Sequence, residues 1–198
     1  MGIDGLGPPQ APQRSKEGLD DEFHDLDFAV QKSRRYHEKL AHFYGFWRDL
    51  NKWGTLVSGS GAFLLFFGGA DKLAGAISAL IALGGLIDLV VSPDKKAQLH
   101  NDLRNEFIDL GVELENTARD DLSLRKLKAI RLTIERKEPP CKRLVDLQAR
   151  NDECRARGYP ASMLVPLSAT QNWLGYLFTF GIRRLEKWKM SSCVAPLV

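Results

Sequence analysis

Residues 53–70, WGTLVSGSGAFLLFFGGA, and residues 73–92, LAGAISALIALGGLIDLVVS, decide how this chain is to be read. The first stretch carries no charge and the second carries only Asp88. A bilayer-spanning helix needs about 20 mainly apolar residues, within a range of roughly 17–25, so both stretches qualify by length. Only Asp71 and Lys72 separate them, and two helices joined by so short a turn run antiparallel. Pro93 closes the second. The expected fold class is all-α: a two-helix transmembrane hairpin with a cytosolic helical bundle.

The flanks set the orientation. Ahead of the first stretch lie Lys32, Arg34, Arg35, Lys39, Arg48 and Lys52, interleaved with Tyr36, Tyr44, Phe46 and Trp47. After the second come Lys95, Lys96 and Arg104, whereas the turn offers Lys72 alone, offset by Asp71. Cations concentrate on the cytosolic side and aromatic residues at the headgroup level, so both termini are expected in the cytoplasm of a multi-pass protein. The rival reading is a soluble helical hairpin inside a large core. The chain holds too little other apolar surface to cover two such helices all round.

The remainder reads as charged helices. The 198 residues are 44% hydrophobic and 27% charged, an average that hides the concentration of apolar residues between Trp53 and Val91. A net charge of +3 gives no reason to expect nucleic acid as a partner. Three cysteines without CxxC spacing indicate neither a disulfide framework nor a zinc site. MGIDGLGPPQAPQ has no basic region leading into an apolar core, so no cleavable signal peptide is expected. Residues 1–20, rich in Gly, Pro and polar residues, are expected to form a disordered arm. Residues 21–52 make a basic, aromatic lead-in helix, with Phe23, Leu26, Val30, Leu40, Phe43 and Trp47 at helical spacing. Residues 93–160 form the cytosolic helical domain. Its seams are Leu99, Leu103, Phe107, Leu110 and Leu114, then Leu127, Ile130 and Ile134, then Leu144, Leu147 and Cys154. The sequence Glu138-Pro139-Pro140 stops the middle helix, and Gly158 caps the last. Residues 161–198 contain an apolar, aromatic stretch over 172–182, about half a span long and followed by Arg183, Arg184 and Lys187. Two readings stand for it: an amphipathic helix in the headgroup layer or against the hairpin, or a core helix of the bundle.

No catalytic constellation, cofactor motif or metal-ligand spacing is present, so an enzyme is not expected. His24, His37, His42 and His100 are read as solvated or headgroup-facing. Asp88 asks for chemistry, because a carboxylate at mid-membrane costs about 2.5–3.5 kcal/mol. It is either an interfacial anchor paired with Lys95 or Lys52, or part of a carboxylate ring at the mouth of an oligomeric pore. The small residues Gly59, Gly61, Gly75, Ala79 and Gly84 suit close helix packing, within the hairpin and against neighbouring copies, so a homo-oligomer in the lipid bilayer is expected. Asn151 shares a face with Leu147 and Cys154, where its amide would be buried and fix helix register.

The layout resembles the bacterial SLATT domains, with a lead-in SRRYHEKLAHFY (33–44), a membrane hairpin and a helical tail. The tail match runs from Ile130 through Glu138, Pro139 and Pro140 to Asn151-Asp-Glu153, where Asp152 is an extra residue relative to the family's pattern. It covers about residues 27–160. The resemblance implies an effector of the bacterial inner membrane that forms a pore or perturbs the membrane in anti-phage defence, on a signal from a separate nucleotide-sensing protein. The alternatives are a phage or prophage protein of the holin or superinfection-exclusion type, or a passive membrane scaffold.

Overall fold

The computed structural model describes residues 16–67, 72, 75–76, 78–79, 82–86 and 92–178. Among these the regular structure is all helical. Helix α1 spans Lys16–Phe67, a stretch without proline. Positions 23, 26, 30, 33, 37, 40 and 44 alternate steps of three and four, which keeps one seam against a partner helix. Phe23, Leu26, Val30, His37, Leu40 and Tyr44 on that seam are buried.

Four further helices follow: α2 (Pro93–Asn116), α3 (Asp121–Glu135), α4 (Arg143–Ala156) and the short α5 (Ala169–Leu174), with a 3-10 turn at Ala161–Met163 before α5. Helix α2 runs antiparallel to α1. Asp94 lies 3.7 Å from Arg48, His100 meets His37, and Gly111 lies against Val30. Ser92 precedes α2 in the left-handed region, at φ 46°, and Pro93 takes the first helical turn. Asp120 caps α3 by accepting from the Ser123 N–H at 2.8 Å. Gly158, at φ 74°, ends the turn after α4 as expected.

Two cores hold the bundle. The first joins Phe23, Leu26 and Val30 of α1 to Leu103, Phe107 and Leu110 of α2 and to Leu124, Leu127 and Ile134 of α3. The second joins Tyr36, Leu40 and Tyr44 to Ala97 and to Val145 and Ala149 of α4. Each fully buried leucine contributes roughly 1.5–3 kcal/mol. Lys32–Asp146 (2.8 Å), Arg35–Glu153 (2.7 Å) and Lys39–Asp152 (2.6 Å) tie α1 to α4.

The described residues depart from several expectations. No helix among the described residues is long and apolar enough to cross a membrane, and the expected transmembrane hairpin is not found there. Along 53–67, Gly54, Thr55, Ser58, Gly59, Ser60 and Gly61 dilute the apolar side chains, and much of 73–92 lies outside the described residues. Helix α1 begins at Lys16, inside the stretch read as a disordered arm, because Leu19 packs on the first core. Within 161–178 only Ala169–Leu174 is α-helical, so the half-length helix expected over 172–182 starts earlier and stops at Leu174 within the described residues, and 179–182 lie outside them. Leu99 stands partly exposed, and His100 takes the seam position assigned to it.

Candidate functional site

Two buried histidines meet between α1, α2 and the loop that carries Glu138, Pro139 and Pro140. His37 and His100 are 0% and 2% exposed. Their Nδ1 atoms approach to 2.9 Å, and the opposite edge of the His37 ring, Nε2, lies 3.1 Å from Glu138 Oε1. The network closes when His37 Nε2–H donates to Glu138 and His37 Nδ1 accepts from His100 Nδ1–H. Protons on both facing Nδ1 atoms would set two donors against each other. The pair therefore holds one proton at its contact.

Aromatic rings box this pair. His37 stacks on Phe107 at 5.5 Å and 15°, and His100 lies parallel to Tyr44 at 5.7 Å. Burial first, then the charges of His37, Lys142 and Lys96, pushes His100 down from its ordinary value to about 4. The Tyr36 hydroxyl accepts the Lys142 N–H at 2.9 Å, fixing the chain just past the Pro-Pro step. Burial raises the Tyr36 phenol well above its usual range. Glu138 and the two histidines do not converge on one point, because Glu138 and His100 occupy opposite edges of the His37 ring. Among the described residues no group of three or more His, Cys, Asp or Glu could hold a metal ion.

Two clamps lie farther along α4. Asn151 is buried: its Nδ2 donates to the Val165 carbonyl and its Oδ1 accepts the Val165 N–H, both at 2.8 Å. One side chain thus pins the segment leading to α5. Glu153, 4% exposed at its side chain, accepts from Arg35 at 2.7 Å and Arg157 at 2.6 Å, and Arg157 continues to Asp27 at 2.7 Å. Burial alone would raise the Glu153 carboxyl, but the hydrogen bonds from Arg157 and Arg35 outweigh it and its pKa lies below the usual value. After α5, Gly175 packs so closely on α4 that an added Cβ would sit 2.9 Å from Leu144 Cβ. Tyr176 stacks on Phe43 at 4.9 Å.

Of the residues singled out from the sequence, Glu138 and Asn151 belong to these buried networks, while Pro139 and Pro140 shape the loop between them. Asp88 lies outside the described residues. Gly59 is helical; at Gly61, Gly75 and Gly84 an added Cβ would meet nothing within 4 Å, and Ala79 is exposed. No close approach is made at those three glycines by the described part of a single chain. The histidine pair was missed, although His37 sits on the three-four seam of α1. That position, rather than any metal-ligand spacing, is its sequence signal. No family model, curated protein or solved structure matches this chain.

Proposed function

We propose that the chain is a membrane effector of a bacterial conflict system, which forms a pore or perturbs the cell membrane when a separate sensor protein signals. The observation that carries this reading is where the large apolar side chains lie. The bundle buries most of its large apolar side chains and leaves some, such as Leu122 and Leu132, exposed, whereas along the two apolar stretches Trp53, Leu56, Leu83 and Leu86 are all open, at 65%, 62%, 53% and 58% exposed. Exposed apolar side chains grouped in this way mark a membrane or protein interaction site. The cations and aromatic residues at its base, including Arg48, Lys52 and Trp47, suit a bilayer headgroup layer. In this reading 53–70 and 73–92 form a hairpin in the inner membrane, both termini stay in the cytoplasm, and the bundle acts as the gate. The open space at Gly61, Gly75 and Gly84 is where neighbouring copies pack. The resemblance to SLATT domains supports the same role.

Uptake of a membrane-impermeant dye, with membrane potential, after induced expression in bacteria tests the proposal. Depolarisation by the wild type, altered in Asp88→Asn, is expected if that carboxylate lines the path. Depolarisation indifferent to Asp88 keeps the effector and makes Asp88 an interfacial anchor. No permeability change with membrane-localised protein, alone and with genes encoded beside it, would refute the effector and leave a passive scaffold.

A further inference from the structure

Where α1 and α2 reach the apolar stretches, the bundle opens into a cavity of about 310 Å³. Tyr44, Trp47 and Asn51 of α1, Lys96 of α2, and Lys142 and Tyr176 are among the residues that line it. Among the described residues its lining includes no carboxylate. The nearest acid in sequence, Asp94, is 3.7 Å from Arg48. Lys96 Nζ lies 5.5 Å above the Tyr44 ring and Lys142 Nζ 6.0 Å from it. Lys142 also donates to the Tyr176 carbonyl at 2.6 Å. Two ammonium groups thus share one aromatic floor, and among the described residues neither has a carboxylate partner. The cost shows at Lys142, whose pKa is lowered by burial and then by Lys96. Asn51 Nδ2 adds a donor that is buried with no hydrogen-bond partner among the described residues.

We propose that this cavity binds the phosphate headgroup of an anionic phospholipid, with Lys96, Lys142 and the Asn51 amide on the phosphodiester and Tyr44, Trp47 and Tyr176 against the glycerol and first methylenes. Charge complementarity selects an anion, since two cations and an amide donor line one cavity with no acid among its described residues. The place selects a lipid. Asn51 stands two residues before the first apolar stretch, and Pro93, also in the lining, directly follows the second, so the cavity lies at headgroup depth. This rests on the proposed membrane hairpin, and it gives the bundle a direct contact with the lipid around it.

The test uses the full chain in uncharged detergent, titrated with short-chain phosphatidylglycerol, short-chain phosphatidylcholine and inorganic phosphate, and read by native mass spectrometry. The expected result is one saturable phosphatidylglycerol per chain, bound at least about 10-fold more tightly than phosphatidylcholine or phosphate. Lys96→Gln, at an exposed position, should weaken it several-fold. Adding Lys142→Gln, which keeps a donor for the Tyr176 carbonyl, should weaken it by about 10-fold or more with helical content unchanged. Phosphate binding as tight as phosphatidylglycerol, or phosphatidylglycerol uptake equal in wild type and double variant, would overturn the proposal. Carbonate extraction of expressed protein keeps the two readings separate. A chain that is extracted yet binds phosphatidylglycerol keeps the site and loses the hairpin; a chain that resists extraction but shows no saturable binding loses only the site.

Discussion

Acid should loosen the bundle through His100 before any carboxylate protonates. In the folded chain this imidazole is buried against His37 and Tyr44, and its pKa falls from 6.5 to about 4. As pH falls below about 6.5, the unfolded chain takes up a proton that the folded chain refuses, so stability falls with pH and the full penalty is reached near pH 4. At about pH 5 the unfolded imidazole is nearly all protonated while the folded one is neutral, a difference of about 2 kcal/mol. That corresponds to about 4–8 °C in melting temperature for a chain of this size. The pH interval lies above the carboxylate range, so Glu153 does not contribute. The assay is thermal unfolding by circular dichroism at about pH 7.5, 6.5 and 5, comparing wild type with His100→Phe. The variant keeps an aromatic ring beside Tyr44 but leaves His37 Nδ1 unpaired, so it should start about 1–3 kcal/mol less stable at neutral pH. Its curve should then be flatter, the two converging toward acid. Parallel decline of the two proteins would refute the reasoning.

Glu153→Gln leaves Arg35 and Arg157 facing a neutral amide and should cost about 2–3 kcal/mol at neutral pH, measured by thermal melting. The wild-type contribution of Glu153, whose pKa is depressed, is present above the ordinary carboxylate value and should fade as pH falls through the folded value. Asn151→Ala strands the buried Val165 N–H and carbonyl. It should cost about 1–3 kcal/mol and speed limited proteolysis between residues 158 and 170, and unchanged cleavage would remove Asn151 as the clamp. Gly175→Ala would place a Cβ 2.9 Å from Leu144 Cβ and 2.5 Å from the Gln171 carbonyl. It should cost about 1–3 kcal/mol and raise hydrogen exchange around Tyr176.

Helix content was legible because apolar residues recur at three and four spacings along every bundle segment, and because Gly158 and the Pro-Pro step punctuate the tail. Boundaries slipped where one residue mattered: Leu19 draws the start of α1 back to Lys16, and α3 ends at Glu135, one turn ahead of Glu138. The His37–His100 contact joins residues 63 apart in sequence, and only the antiparallel register of α1 and α2 brings them together. The same holds for Glu153 with Arg35. Asn151 was legible as a buried amide on its helix face, but its partner is a backbone segment with no motif of its own. Trp173 and Phe178, at 80% and 62% exposed, show why the half-length apolar run was ambiguous. Tyr176 and Gly175 dock it on the bundle while Trp173, Leu177 and Phe178 face outward.

The two connections between the bundle and the apolar stretches are built differently. Helix α1 passes from the His37 seam into residues 53–67 without interruption. On the return side, Ser92 stands in the left-handed region directly before α2, and Pro93 at the start of α2 has no N–H to donate. On the proposed reading, a rotation of the bundle would reach residues 53–67 along the unbroken α1 helix. A shift along the α1–α2 seam would then be carried into the first apolar stretch by α1 as a single lever.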